Sequence, residues 1–143
     1  MNLLPDAAQL SQAVSQATAP AFALGAVAAF ISVLLGRMNI VVDRIRSLNE
    51  IADGDPARAH LKSDIPRLKQ RADLLNRAIY LAILSGICTS LLLIVGFACA
   101  LLRLRHEYAA GILFPVAIGL LGGALFRFGQ EVRMGLSGAD HYR

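Results

Sequence analysis

Residues 78–102 read AIYLAILSGICTSLLLIVGFACALL, 25 positions without one charged side chain. An α-helix rises ~1.5 Å per residue, so this stretch is long enough to cross the roughly 30 Å hydrocarbon core of a bilayer. Two further uncharged stretches flank it, residues 7–36 with 30 positions and residues 109–126 with 18, the latter just sufficient. With 56% hydrophobic residues and a mean hydropathy of +0.57 over 143 residues, the chain carries more apolar side chain than a soluble core of this size requires. The composition predicts an all-α, single-domain integral membrane protein with three transmembrane helices.

Charge sets the expected orientation. Of the 14 Lys and Arg residues, none precedes Arg37, nine lie in residues 37–77, two in residues 103–108 and three from Arg127 onward. Basic residues accumulate on the cytoplasmic side, which predicts the N-terminus outside and the C-terminus in the cytoplasm of a plasma membrane. A secretory leader opens with basic residues, and the first basic residue here is Arg37, so no cleaved signal peptide is expected. The sequence pI of about 9.6 does not point to nucleic acid, because six acids share residues 37–77 with the nine bases and no aromatic residue stands among them. Anionic lipid headgroups are the expected partner of that basic segment.

Apolar spacing then organises the chain. Ile31, Leu34, Met38, Val41, Ile45, Leu48 and Ala52 alternate by three and four, so the first span is expected to continue as a helix beyond the membrane. Asp53-Gly54-Asp55-Pro56 stops it and turns the chain. Leu61, Ile65, Leu68, Ala72, Leu75, Ile79 and Ala82 alternate in the same way on the return, with Ser63 or Asp64 as cap and Pro66 in the first turn. Two such seams predict an antiparallel coiled-coil hairpin, with Met38, Val41, Ile45, Leu48, Leu68 and Leu75 as its core, standing ~20–25 Å into the cytoplasm.

The expected segments are an amphipathic interfacial helix at residues 6–17, a first span at 20–36, the hairpin at 37–77, a second span at 78–102, a third at 109–126 and a cytoplasmic tail at 127–143. Pro20 divides the first two, because a helix running through it loses a backbone hydrogen bond and kinks or restarts.

Candidate chemistry is sparse. His60, His106 and His141 are far apart in sequence and assemble no metal site, triad or phosphate loop, so neither enzyme activity nor a cofactor is expected. Cys88 and Cys99 repeat after three helical turns within one span and read as small packing residues. Small residues recur at Ala21, Gly25, Ala28, Ser32 and Gly36 and at Gly119-x-x-x-Gly123, a pattern that marks helix–helix contacts within a chain or between copies.

Gln9, Gln12 and Gln16 form an uncharged polar face, Thr18 opens the Thr18-Ala19-Pro20 break, and Ser85 and Thr89 place hydroxyls one turn apart in the second span. These six are the candidate lining if several copies form a pore; otherwise the hydroxyls satisfy backbone carbonyls. No Asp, Glu, Lys, Arg or His falls within the three spans, which argues against a proton pump or charged-substrate transporter. Arg127 and Glu131, four apart beside Phe126 and Phe128, are expected to pair along one helix at the interface, with docking near Arg37 or Asp43 as the other arrangement.

Three stretches carry a resemblance. They are Ala19-Pro20 leading into Gly36-Arg37-Met38-Asn39-Ile40-Val41-Val42-Asp43-Arg44-Ile45-Arg46, then Leu75-Asn76-Arg77-Ala78-Ile79, and Phe128-Gly129-Gln130-Glu131-Val132-Arg133. Together they resemble small bacterial membrane proteins of the domain-of-unknown-function 2721 family. The resemblance implies a bacterial inner-membrane location and no activity. It also draws attention to Asn39, Asp43, Arg44, Asn76 and Arg77, which are expected to form a polar cluster at the hairpin base. The function expected is that of a non-enzymatic, self-associating membrane protein whose hairpin binds copies of itself or a cytoplasmic partner; the alternative is a homo-oligomeric channel with an uncharged polar lining.

Overall fold

A computed structural model describes residues 7–51, 58–102 and 107–139. Three helices account for nearly all of these: α1 (Ala7–Asn49), α2 (Ile65–Leu102) and α3 (Glu107–Ala139), with a short 3-10 helix (Ala59–Asp64) ahead of α2. No strand occurs among the described residues. All three helices are long and apolar enough to cross a membrane.

α1 runs through Pro20 without interruption, so residues 7–17 are its first turns rather than a separate interfacial helix. Proline removes one N–H from the ladder, and the long apolar helix on both sides outweighs that loss. The Asp53-Gly54-Asp55-Pro56 turn and residues 103–106 lie outside the described residues. Ahead of α2, the Ser63 hydroxyl donates to the His60 carbonyl at 2.6 Å, closing the 3-10 turn instead of capping α2, and Pro66 falls in α2's first turn as its sequence position predicts.

The chain divides into two compact units, each drawing a segment from every helix. Unit 1 comprises residues 1–30 and 82–122. Its interior holds Pro20 and Val27 from α1, Ala82, Ser85, Thr89 and Leu92 from α2, and Ala117 from α3. Gly86 permits the closest approach: a Cβ built there would meet Val27 Cγ1 at 3.4 Å.

Unit 2 comprises residues 31–81 and 123–143. Leu34, Val41 and Leu48 of α1 are buried at seven-residue intervals, together with Leu75 and Ala78 of α2 and Ala124 and Glu131 of α3. Residues 127–139, expected as a tail, therefore continue α3 and contribute to this interior. That third element changes the seam of α2. Ala78 is fully buried whereas Ala72 and Ile79 are half-buried, because α2 turns its inner face to serve two neighbours instead of one. Met38, Ile45 and Leu68 are likewise half-buried, flanking the fully buried positions.

Candidate functional site: a buried carboxylate between two arginines

Ala117, Ala124 and Glu131 follow one another at seven-residue intervals along α3, and all are buried. A heptad interval returns a side chain nearly to the same face, so a carboxylate in that series is carried inward with the alanines. Glu131 is 0% exposed. Arginines from the other two helices meet it. Arg71 Nε and Nη2 donate to Glu131 Oε1 at 3.0 and 2.7 Å, and Arg37 Nε donates to Oε2 at 3.1 Å. Arg71 stands four residues before Leu75 on the inward side of α2, and Arg37 three residues after Leu34 on α1, so each reaches the carboxylate from the edge of its buried face.

Surroundings fix this geometry. The Arg71 guanidinium passes close to Gly135, where an added Cβ would lie 3.2 Å from Nη2; any larger residue would have to displace it. One turn earlier on α2, Arg67 Nη2 donates to the Met134 carbonyl at 2.6 Å, a second tie between α2 and α3. The Arg37 guanidinium carbon sits 5.6 Å from the centre of the Phe128 ring, within cation–π range.

One carboxylate facing two guanidiniums leaves a formal charge of +1. The guanidinium side chains remain partly accessible, 38% for Arg37 and 22% for Arg71, so each keeps contact with a polar medium while the carboxylate does not. Both Glu131 oxygens are occupied by charge-assisted bonds, which is the condition for burying a carboxylate without a large penalty. Such an arrangement clamps three helices at one point. Among the described residues no group of three or more His, Cys, Asp or Glu could hold a metal ion.

The expected Arg127–Glu131 pair along α3 gives way to the other arrangement, docking at Arg37, with Arg71 as a second partner. Arg127 Nη1 instead reaches Gln130 Oε1 at 3.4 Å, because the Glu131 side chain points inward, away from its own helix surface. The polar cluster expected from Asn39, Asp43, Arg44, Asn76 and Arg77 does not assemble: all five are exposed, and Arg77 Nε pairs with Asp73 Oδ2 at 2.9 Å one turn away on the same helix. Outward faces of a three-helix packing keep such residues in solvent, and the inter-helix ties fall to Arg37, Arg71 and Glu131. The signal in the sequence was the heptad register of Glu131 with Ala117 and Ala124, which a pairing read along one helix overlooks.

The candidate pore residues divide. Ser85 is buried and its hydroxyl donates to the Ala117 carbonyl at 2.7 Å, tying α2 to α3; Thr89, also buried, donates to the Ser85 carbonyl at 2.9 Å. Neither hydroxyl faces outward, where a pore between copies would need it. Gln12, Gln16 and Thr18 are exposed, with the Thr18 hydroxyl donating to the Val14 carbonyl at 3.1 Å, and the Gln9 side chain lies outside the described residues. Of the candidate packing residues, Gly123 meets Leu81 Cδ1 at 3.5 Å from its would-be Cβ, whereas Gly25 and Gly119 face open space and Ser32 is exposed. Gly86, absent from those candidates, is the close-contact glycine of unit 1. Cys88 and Cys99 are free thiols, each half-buried.

The sequence profile of the family described as "Protein of unknown function (DUF2721)" matches residues 17–140, a range that takes in all three helices and every member of the arginine–glutamate cluster. No curated protein and no solved structure matches the chain significantly. A profile match over so much of its length makes this chain a member of the DUF2721 family.

Proposed function

We propose that this protein is a non-enzymatic assembly protein of a bacterial inner membrane, with its N-terminus outside and its C-terminus in the cytoplasm. Copies associate through the membrane-spanning helices, and the α1–α2 coiled-coil hairpin binds a cytoplasmic partner or further copies. Anionic lipid headgroups surround the exposed bases Arg44, Arg46, Lys69 and Arg77 at its base.

The observation that carries this reading is the outward stripe of small residues on α1. Ala21, Gly25, Ala28, Ser32 and Gly36 are all exposed, and a Cβ at Gly25 or Gly36 would meet nothing within 4 Å. Small residues let helix backbones approach closely, so such a stripe favours a second helix over lipid. The extent of free surface supports it: in the most apolar stretches of the three helices only 17%, 28% and 11% is buried. The heptad burial of Leu34, Val41 and Leu48 opposite Leu75 supports the coiled-coil character of the hairpin.

A pore formed by several copies finds less support. It requires polar groups on outward faces along the spans; Gln12 and Gln16 are exposed ahead of Pro20, but the Ser85 and Thr89 hydroxyls of the second span are committed inward.

The test is the mass of the protein in native lipid nanodiscs. A dimer or larger assembly is expected for the wild type, and Gly25→Leu with Gly36→Leu should yield monomers, since both positions are open within the chain and the variant keeps its own fold. A monomeric wild type would overturn the proposal.

A further inference from the structure

Unit 1 contains a cavity of ≈ 560 Å³ walled by all three helices. Gly96 and Phe97 of α2 and Gly111 and Phe114 of α3 stand on its wall, and α1 adds mainly alanines and Pro20. No charged side chain lines it, and Gln16 is its single polar one. Small residues keep the space open: a Cβ built at Gly96 or Gly111 would meet nothing within 4 Å. Gln16, Ala19 and Phe97 line the cavity and are also exposed, so it communicates with the medium around the helices. It lies toward one end of the spans. Ala110 stands three residues after Glu107, which opens α3, and Phe97 five before Leu102, which closes α2. At ~1.5 Å per residue both are within about 8 Å of a helix end.

Size and chemistry select what fills such a space. Water settles in a cavity only with about two to four polar partners, and one amide side chain among alanine, leucine and phenylalanine does not supply them. Left empty, the wall atoms forfeit their dispersion contacts. A neighbouring helix with its side chains is 10–12 Å across, so one 5.4 Å turn fills roughly 400–600 Å³ and the cavity admits about a single turn. Hydrocarbon needs no polar partner. An apolar cavity of about 150 Å³ takes up one six-carbon ring, which scales to roughly twenty carbons here, the capacity for one lipid tail.

We infer that the cavity holds one acyl chain of a membrane lipid, with the headgroup left outside the uncharged wall at the nearby helix ends. A chain lodged there touches three helices, whereas an annular chain touches the protein from one side. The absence of charge on the wall means that the tail is recognised and the headgroup is not. The inference rests on the placement of the helices in a membrane, part of the function proposed above, and not on whether copies associate.

The test places the full-length protein in phosphatidylcholine nanodiscs containing a phosphatidylcholine with a photoactivatable diazirine in mid-chain, and maps adducts by tandem mass spectrometry. Ile94 and Ile112 serve as references, because they are exposed on the same two helices, lie among the lining positions in sequence and do not line the cavity. Leu93 and Phe114, which do line it, should carry about threefold more adduct, in proportion to three helical walls against one. Gly96→Phe with Gly111→Phe fills the cavity from positions that are open within the chain. That variant should bring Leu93 and Phe114 down to the reference level and leave Ile94 and Ile112 unchanged. Wild-type labelling no higher than the references, or an excess that survives the double substitution, would each overturn the inference. Exclusion of label from Leu93 and Phe114 in the wild type, as water or a second copy's helix in the cavity would cause, would overturn it too. Label at Ile94 and Ile112 reports the membrane placement separately, and its absence would overturn that placement and the inference with it.

Discussion

Unit 1 and unit 2 are built from the same three helices yet hold them together by different chemistry. In unit 1 the polar tie is neutral: the Ser85 hydroxyl donates to the Ala117 carbonyl, and Gly86 gives Val27 room to approach. In unit 2 the tie is ionic, with Glu131 bonded to Arg37 and Arg71 and seconded by Arg67 on the Met134 carbonyl. The difference follows the distribution of charge along the sequence. Unit 1 draws on stretches that carry no charge between residues 7 and 36 and between residues 78 and 102, whereas unit 2 draws on the basic segment at residues 37–77. An ion pair suits a region with access to polar surroundings, where partly exposed guanidiniums remain solvated. Hydroxyl-to-carbonyl bonds suit a region where desolvating a charge is prohibitive.

The comparison breaks most sharply if the buried carboxylate loses both partners. Replacing Arg37 and Arg71 by leucine leaves Glu131 without them, and a loss of about 3–5 kcal/mol in stability is expected from denaturation in mixed micelles. Adding Glu131→Leu to that variant should return most of the loss, because an apolar side chain in place of a stranded carboxylate carries no desolvation penalty. If the triple variant were as unstable as the double, the cluster would not be acting through its charge.

A smaller effect is expected in unit 1. Ser85→Ala removes one neutral inter-helix bond while the Ala117 carbonyl keeps its own helical partner, and about 0.6 kcal/mol should be lost, the average for such bonds in membrane proteins. A loss as large as that of the arginine pair would erase the distinction between the units.

The smallest effect sharpens the ionic side of the comparison. Arg77 pairs with Asp73 at 2.9 Å, as close as the Glu131 contacts, yet both side chains are more than half exposed and lie on one helix. Arg77→Ala should lose only about 0.3–0.5 kcal/mol by the same denaturation measurement, which separates burial and inter-helix reach from mere proximity of opposite charges.

Legibility from sequence differed along the chain in the same way. The three apolar helices, the passage of α1 beyond its uncharged stretch and the inward positions Leu34, Val41, Leu48 and Leu75 were all readable, since helical period and apolar spacing are local properties. Of the partners of Glu131, Arg37 was legible only as the lesser alternative and Arg71 not at all. The neighbours of Glu131 four residues away suggested Arg127, while the residues that bind it stand 94 and 60 positions distant. The same limit left open where the small residues pack: Gly123 meets Leu81 within the chain, Gly25 and Gly119 face outward, and Gly86 makes the close contact of unit 1.

Three long apolar stretches able to cross a membrane, and the family to which the chain belongs, were fixed by composition and by intervals of three, four and seven along one strand of chain. The tertiary structure alone decided that residues 127–139 join the interior of unit 2, that Ser85 and Thr89 turn inward, and that Glu131 is shared by two arginines. Those outcomes depend on which face each helix offers to two neighbours at once. A periodic pattern defines a face, but how it is divided between partners is settled by packing and by the need to leave no buried charge alone.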